Sequence, residues 1–413
     1  MNKKNIYGFI ALMLLISHTS FSQTGTDPVQ LDEVVLSLPF NQTKGKSVIK
    51  VEKINLNNIN PILRSYISKS LSKLPGISLI STGPGIVKPS IRGLSGNRVI
   101  VYSQGVRLEN QQWGDEHGIG ISTSGINSIE LIKGPAYVIY GSDAMGGVLY
   151  VEPEKYSSDF SIDYMGIYNS NYSGITNNIG LKGSSGNFSY MLRGSMTDNQ
   201  NFSSPDGEVE NTWFKENDIQ AGLMYTTENF SSDLRLSMNF SELGIPHMDM
   251  EEGHDDHDDH EGHDDHEGHD DHEGHEDHEG HEDHYQELSH TILTWKNNFD
   301  LGNDHNLEVT LGRQVNDRKE FGGHGEEEGH DDHGEEEGHD DHDDDHEGHD
   351  DHGHGGSGAE LDMELVTNTL DMSLTMPQSD NFNLIIGSNI LAQENKNFGH
   401  EELIPDAEMN DFG

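Results

Sequence analysis

The sequence of 413 residues contains no cysteine, which excludes disulfide bonds and thiolate metal ligands. Apolar residues are also scarce, at 31% of the chain. No run in the sequence reaches the roughly 18 consecutive apolar residues of a membrane-spanning helix, so we expect no such helix. Basic residues are few, because 24 Lys and Arg stand against 74 Asp and Glu, giving a formal net charge of −50. Such an acidic chain is a poor partner for nucleic acid.

Much of the acidity lies in two runs of histidine and carboxylate residues. In residues 254–284 a histidine stands at every third position, and the run holds 11 His and 16 Asp or Glu. Residues 324–354 repeat this composition less regularly, with 9 His and 16 acidic residues. Neither run contains a basic or an apolar residue. Because nothing offsets an ordering cost of ~1–2 kcal/mol per residue, we expect both runs to be disordered in isolation.

The runs have the chemistry of metal ligands. Imidazole nitrogen and carboxylate oxygen suit Zn²⁺, Ni²⁺, Cu²⁺ or Co²⁺, and a period of three lets neighbouring histidines share one ion in a polyproline II or helical conformation. A structural zinc contributes about 10–16 kcal/mol, whereas ordering one run costs roughly 30–60 kcal/mol, so we expect many weak, exchangeable sites. The candidate ligands are His254, His257, His260, His263, His266, His269, His272, His275, His278, His281, His284, His324, His330, His333, His339, His342, His346, His349, His352 and His354.

Two other interpretations of the runs stay open. A solvated acidic repeat produced by replication slippage needs no role, although it does not require histidine at every third position. Calcium would bind the carboxylates, but it would leave the histidines unexplained.

The N-terminus has the pattern of a secretory signal over residues 1–22. Lys3 and Lys4 precede a short apolar core at residues 6–16, and Ser20 and Ser22 stand before an expected cleavage ahead of Gln23. The protein is therefore expected to leave the cytoplasm. Residues 23–46 form a polar linker, in which residues 31–37 (LDEVVLS) could add as a strand to the sheet edge of a partner.

Residues 47–153 have the composition of a compact α+β domain. Apolar spacing predicts a helix over 57–73 that ends at Pro75-Gly76. Strands are predicted at 47–53, 77–81, 87–92, 98–102 and 128–132.

An ordered set of motifs in this domain resembles the plug domain of TonB-dependent outer-membrane receptors. Gln104 departs from that pattern, since the family usually has Asp before the glycine. The resemblance implies that residues 31–37 are the TonB box, with Asp32, Glu33, Val34 and Val35 as the residues that contact TonB. The motifs are LPGI at 74–77, IRGL at 91–94, NRVIVY at 97–102, GVR at 105–107, IELIKGPA at 129–136, YGS at 140–142 and AMGGV at 144–148.

From residue 154 onward, segments of alternating apolar and polar residues recur between polar turns. Leu234, Leu236, Met238 and Phe240 show the every-second-residue apolar face of a lipid-facing strand. A soluble β-sandwich is the alternative, but it would not account for the plug-like domain. Nine strands are predicted at 159–169, 173–184, 186–198, 214–227, 230–243, 285–299, 305–318, 359–376 and 381–397.

The predicted fold is an N-terminal α+β plug domain inside a transmembrane antiparallel β-barrel. Connections after even-numbered strands are short, and the long ones follow odd-numbered strands, as in outer-membrane barrels. This parity places the His-rich connections 244–284 and 319–358 outside the cell. The resemblance implies about 22 strands, so the sequence is expected to be a fragment that stops in the fifth external loop.

A second candidate metal site lies in the plug, at Asp115, Glu116 and His117 between two glycines. This segment resembles the acidic-His plug loop of zinc-uptake receptors. The alternative is an ordinary polar loop whose histidine packs against Trp113. His247 and His400, in predicted external loops, could contribute further ligands.

The sequence therefore predicts a TonB-dependent receptor of the bacterial outer membrane that imports a divalent transition-metal ion, zinc first, with Ni, Cu or Co as other cargoes. Its expected partners are the TonB energy-transducing complex, outer-membrane lipid and the metal ion or a metal chelate. No permanent cofactor and no enzymatic activity are expected. Three alternatives remain: a haem, siderophore or metal-chelate receptor, a non-transporting surface metal-binding protein, and a peptide or glycan receptor.

Overall fold

The computed structural model describes most of the chain outside the N-terminus and the two runs. Within this described part, no helix is both long and apolar enough to cross a membrane. The predicted signal segment and all but one residue of the two runs lie outside the described residues. These are 34–35, 42–43, 50–60, 66–81, 83, 85–109, 118–134, 140–205, 207–246, 284–322, 359–379, 382–399 and 405–413.

An α+β domain, called the plug here, spans residues 50–153 around a five-stranded mixed sheet of order β3-β8-β9-β6-β7. Strand β6 runs parallel to β9, and the other pairs in this sheet are antiparallel. A separate antiparallel hairpin joins β4 to β5, and the short β1 and β2 pair ahead of the domain. The strands are β1 (Val34–Val35), β2 (Gln42–Thr43), β3 (Lys50–Asn55), β4 (Ile77–Ile80), β5 (Lys88–Ile91), β6 (Val99–Ser103), β7 (Val106–Arg107), β8 (Ile126–Lys133) and β9 (Gly147–Pro153).

Strand β8 is the centre of the plug, because every one of its residues is buried. Ile129 and Leu131 point into the main apolar core, while Ile132 packs in a second cluster on the other side of the sheet. The predicted strand at 128–132 lies inside β8, which extends it at both ends. The main core also includes Ile292 from outside the plug, so the plug and the sheet around it share one core.

The predicted helix over 57–73 is wrong as a continuous element. In and beside this stretch the structure has a 3₁₀ turn at Leu56–Asn58 and an α-helix at Ile67–Leu71. Ile59 and Tyr66, between them, have extended backbones. Pro61 disfavours helical geometry at the residue before it. Tyr66 is held elsewhere, since its hydroxyl donates a hydrogen bond of 3.0 Å to Asn199 Oδ1 on the surrounding sheet. Two further 3₁₀ turns lie at Gly96–Arg98 and Ser142–Met145.

Around the plug runs a ten-stranded antiparallel sheet, called the wall here, in which each strand pairs with the next along the chain. The small hairpin β13 (Phe202–Ser204) and β14 (Gly207–Val209) lies in the connection between two wall strands. The wall strands are β10 (Ser161–Asn169), β11 (Gly174–Ser185), β12 (Phe188–Asn199), β15 (Phe214–Thr226), β16 (Phe230–Gly244), β17 (Tyr285–Gly302), β18 (His305–Phe321), β19 (Leu361–Ser379), β20 (Phe382–Asn397) and β21 (Ala407–Phe412).

All nine predicted strands are present, with ends that differ from the prediction by at most three residues. The expectation that the chain enters an external loop and stops there is wrong, because β21 pairs with β20 from Ala407 to Phe412. Its sequence, AEMNDF, is short and polar and carries no alternating apolar signal. The segment is a strand because its backbone pairs with β20. A pattern of side chains in the sequence does not reveal such backbone pairing.

The wall has an apolar outer face and a polar inner face. Side chains such as Ile162, Leu192 and Trp295 point away from the plug and are 63%, 48% and 47% exposed. Alternate positions such as Asn178 and Arg193 point toward the plug and are buried. Period-two alternation places each set on its own face, and an apolar outer face is what a membrane-spanning strand requires.

Aromatic pairs mark both ends of the wall. Phe230 and Phe299, with ring centroids 5.0 Å apart, lie at the end where the connections are short. Tyr285 and Phe321 stack at 4.5 Å at the opposite end, where the long connections leave. Aromatic residues at both edges of an apolar band are typical of proteins that cross a membrane with strands.

Contact of the outer face of the wall with lipid can be tested by substitution. Replacing Leu192 by Arg should make folding into lipid vesicles less favourable by about 2–4 kcal/mol, because the charge would enter the apolar band. Glu208→Arg, on the exposed β14 hairpin, is the control and should change the folding free energy little. Urea titration of the full-length protein in vesicles measures both, and equal losses would show that Leu192 does not face lipid.

Candidate functional site

The structure describes some of the candidate residues and leaves the others outside the described residues. Val34 and Val35 form β1, which pairs with Gln42–Thr43 of the same chain. Asp32, Glu33, Asp115, Glu116 and His117 lie outside the described residues, as do His247 and His400 and every histidine of the two runs except His284. Within the described part, no group of three or more His, Cys, Asp or Glu is placed to hold a metal ion. The positions that flank the candidate residues are nevertheless well defined.

Asn211 bridges the two ends of the first His-rich connection. Its amide Nδ2 donates to the backbone oxygens of Ile245 and His284, at 2.7 and 2.6 Å. The backbone N–H of Ile245 also donates to the oxygen of His284 at 2.9 Å. Trp213 Nε1 donates to the Asn211 side-chain oxygen at 3.1 Å, which fixes the orientation of the amide. The first His-rich connection therefore leaves and rejoins the wall at one fixed point.

The second His-rich connection leaves the wall beside the first. Gly244 pairs with Tyr285, and Tyr285 pairs in turn with Phe321, where the second connection starts. That connection ends at Glu360, whose N–H donates to the Glu320 oxygen at 2.9 Å. Both connections thus leave the same end of the wall and join consecutive strand pairs.

The plug segment that follows the Asp115–His117 candidates, residues 118–125, lies against the inner face of the wall. Ile119 N–H donates to Val87 O at 3.0 Å, and a Cβ at Gly118 would stand 2.8 Å from Val87 N, so this approach requires glycine. Farther along, Ser124 accepts from Gln220 Nε2 through its carbonyl at 2.7 Å and from Asn178 Nδ2 through its hydroxyl at 2.8 Å. The segment is therefore fixed to both the plug and the wall.

A group of buried polar side chains on the wall faces this segment. Asn239 Nδ2 donates to Asp218 Oδ1 at 2.7 Å and to Glu216 Oε2 at 3.1 Å. His290, on the next strand, is 4% exposed. Asp218, Asn239 and His290 line a cavity of about 30 Å³ together with Ser122 of the plug segment. Sequence reasoning missed these residues, although the period-two alternation of the wall places all of them on its inner face.

Glu154, just beyond the plug sheet, ties the plug to the wall. Its carboxylate accepts from Arg193 Nε at 2.7 Å, from Arg193 Nη2 at 3.0 Å and from Lys182 Nζ at 2.6 Å. Arg193 also pairs with Asp163, at 2.8 Å. Bidentate arginine–carboxylate pairs are strong and directional, so this cluster fixes the base of the plug.

Glu152, near the end of β9, is a plug carboxyl group whose pKa is strongly raised. Burial, together with the nearby Glu130, raises the pKa of Glu152 to about 7. Glu130 itself is fully buried and accepts from Lys53 at 2.8 Å. Because the folded pKa of Glu152 is raised, its contribution to stability is complete below the ordinary value of 4.5 and is lost as the pH rises through about 7.

The Asn211 bridge can be tested by hydrogen exchange. Asn211→Gly removes the amide but keeps a residue suited to its φ of 54°, so backbone strain does not confuse the result. Each lost hydrogen bond contributes about 0.5–1.5 kcal/mol, so exchange should quicken at residues 245–246 and 284–290. Asn303→Gly, at a φ of 52° in a short turn at the other end of the wall, is the matched control. Unchanged exchange at 284–290 in the Asn211→Gly variant would contradict the bridge.

The Glu152 titration predicts a pH-dependent plug stability. Glu152→Gln should raise the midpoint of the plug's thermal transition at about pH 8 and leave it nearly unchanged at about pH 5, because the wild-type carboxyl must ionise only at the higher pH. Calorimetry of the full-length protein measures the midpoint, with Glu208→Gln, at an exposed position, as the control. An equal shift of the midpoint at both pH values would show that the substitution does not act through the ionisation of Glu152.

Comparisons with known proteins agree with the arrangement of plug and wall. Residues 44–148 match the family model described as the TonB-dependent Receptor Plug Domain. The vitamin B12 transporter BtuB of Photobacterium profundum is 32% identical over 119 residues, which cover 29% of this chain and 20% of that protein. The chain thus spans a fifth of the length of this curated relative.

Solved structures match over both the plug and the wall. The FrpB iron transporter of Neisseria meningitidis aligns with a TM-score of 0.60 at 13% identity, covering 84% of this chain and 48% of that one. The copper transporter OprC aligns with a TM-score of 0.57 at 13% identity, covering 84% of this chain and 46% of that one. At this identity the likeness concerns the fold alone. The predicted fold class, a plug domain with an antiparallel sheet like that of the barrel receptors, is confirmed.

Proposed function

We propose that this chain belongs to a TonB-dependent transporter of the outer membrane that imports a divalent transition-metal ion, zinc first. The match of residues 44–148 to the plug model and the lipid-suited outer face of the wall support the transporter class. The metal cargo is inferred from the chemistry of the His-rich runs. Transport of this kind involves no covalent chemistry, so no catalytic residue is required.

The observation that carries the proposal is the position on the wall of the residues that flank the two runs. Their flanking residues Gly244, Tyr285 and Phe321 lie side by side at the end opposite the short turns. In outer-membrane barrels the long connections are external and the short turns periplasmic. On that basis both runs stand at the outer mouth of the transporter, where they meet an ion first.

The runs suit the collection of scarce ions. Together they carry 32 acidic residues and no basic ones, and a field of one sign raises the local cation concentration before any ligand bond forms. Bound histidine must be neutral, so collection should weaken as the pH falls below ~6.5. Weak sites release ions easily, which favours transfer to a tighter site.

Asp115, Glu116 and His117 are proposed as that tighter site. Gly118 and Ile119 directly after them are packed on Val87. Leu108, a few residues before them, donates its N–H to Val101 O at 2.8 Å. Fixed points on both sides of a short segment limit the conformations it can adopt, which lowers the entropy cost of binding an ion there. Carboxylate and imidazole ligands again suit zinc.

Energy would come from TonB through residues 31–37. The pairing of Val34–Val35 with Gln42–Thr43 supports this role, because it shows that the segment accepts a neighbouring strand. A TonB strand could take the place of β2 against β1, in the way that extended peptides add to exposed strands. Asp32 and Glu33 would extend the same contact.

A receptor for a metal chelate, siderophore or haem is the main rival. The names of the similar proteins favour it in part, since they describe transporters of vitamin B12, iron and copper. Haem needs one or two well-placed axial histidines, whereas the runs supply 11 and 9. The copper transporter among the relatives is compatible with either cargo. The runs would also bind Cu²⁺ and Ni²⁺ at least as well as Zn²⁺, so binding alone cannot identify the cargo.

Uptake of radiolabelled zinc by cells carrying the full-length receptor tests the proposal. Changing every run histidine to Gln, which keeps length and acidity, should lower uptake at scarce zinc and leave it unchanged at ample zinc. Changing Asp115, Glu116 and His117 to Ala should abolish uptake at both levels, because the site that passes the ion inward is lost. His305→Gln, at a short turn of the wall, is the control.

The arms of this experiment separate the rivals. Deleting residues 31–37 should abolish uptake by a transporter, whereas a surface metal-binding protein would retain its metal without them. If neither the run variant nor the plug variant changes zinc uptake, zinc is the wrong cargo. The same cells would then be assayed with nickel, copper and haem.

A further inference from the structure

A row of small cavities follows the plug segment 118–125 along the inner face of the wall. The first, about 30 Å³, lies beside Gly118 and Ile119. The second, also about 30 Å³, lies beside Gly120 and Ser122. A cavity of roughly 10–15 Å³ already holds one water, so each of these two has room for a partly dehydrated ion with a water.

The second cavity contains two polar atoms without a hydrogen-bond partner. His290 Nε2 and Asp218 Oδ2 are both buried and unpaired, and both residues line this cavity. Each residue is only 4% exposed. Buried polar groups are normally paired, because an unpaired one costs about 1–3 kcal/mol. Of the described residues with such atoms, Asp218 and His290 alone line this cavity.

The two atoms are a nitrogen and an oxygen of the kinds that bind zinc. Asn239 donates to the other oxygen of Asp218 at 2.7 Å, which fixes the carboxylate, while Oδ2 has no hydrogen-bond partner. Outer hydrogen bonds of this kind orient metal ligands in many proteins. Asn239 Nδ2 also donates to Glu216 Oε2, at 3.1 Å, which fixes this second carboxyl group beside Asp218.

We propose that His290 Nε2 and Asp218 Oδ2 form a transit site for a divalent transition-metal ion between the plug and the wall. The inference rests on the proposed metal transport and names the next position of the ion after the Asp115–His117 site. The Ser122 hydroxyl and water would complete the coordination. Zn²⁺ accepts such a mixed nitrogen and oxygen set.

Two protein ligands suit transit better than storage. Structural zinc sites use four protein ligands and hold the ion tightly. Within the described part of the chain no cluster of three or more His, Cys, Asp or Glu is placed for a metal, so this site is expected to bind and release. A transported ion must leave each site that it enters, which a weak site permits.

The site is within short reach of the plug candidates. Gly120 stands three positions after His117, and three extended residues span at most ~11 Å. Gly120 lines the same cavity as His290 and Asp218. An ion released at His117 therefore has the transit site as its neighbour along the inner wall.

Co²⁺ binding by the full-length receptor in detergent tests the transit site separately from transport. The parent for this test carries Gln for every run histidine and Ala for Asp115, Glu116 and His117, so the other proposed ligands are gone. This parent should bind about one Co²⁺, detected by its visible absorption and by metal analysis. His290→Gln and Asp218→Asn should each lower the affinity at least about tenfold, while His305→Gln, a histidine at a short turn, should not.

Two results would overturn the transit site. One is a parent that binds no Co²⁺, and the other is unchanged binding in both His290→Gln and Asp218→Asn. If a variant fails to fold, X-ray absorption of the Co²⁺-loaded parent decides, because the site requires one imidazole and oxygen ligands, and a spectrum without imidazole contradicts it. The two proposals can fail separately. If zinc uptake depends on Asp115–His117 but the parent binds no Co²⁺, the transit site is rejected and the proposed function is still supported.

Discussion

The structure depends on the backbone ladder that joins each wall strand to the next. Once ten strands are paired in sequence order, the period-two alternation divides their side chains into an outer apolar set and an inner polar set. The inner set must then find partners, and the plug supplies them through Ser124, Glu154 and the segment between Gly118 and Gly125. The plug thus satisfies polar groups that the geometry of the wall directs inward.

The contacts between plug and wall are of two kinds. At Glu154, charged groups dominate, because its carboxylate binds Arg193 and Lys182. Along residues 118–125 the contacts are neutral hydrogen bonds, with small cavities beside Gly120. Arg193 pairs with Gln220 across two neighbouring wall strands, so the two kinds of contact lie next to each other.

The wall was the easiest part to predict from the sequence, because alternation, turn residues and connection lengths all repeat along it. Strand β21 was missed since it has no apolar alternation and depends on the backbone of β20. The helix over 57–73 was overestimated because apolar spacing does not register Pro61 or the contact of Tyr66 with Asn199. His290 and Asp218 could be placed on the inner face, but their approach to Ser122 depends on how the plug docks, which no local pattern encodes.

The bridge formed by Asn211 has a consequence for how the first His-rich connection can change in evolution. One amide holds Ile245 and His284 together. The contacts at the two ends of the connection therefore stay the same whatever number of residues lies between them. The entropy of closing a flexible loop grows only with the logarithm of its length, by about 0.6 kcal/mol for each doubling. Three-residue units could therefore be gained or lost in this connection at almost no cost to folding, and the capacity for metal could be tuned by copy number alone.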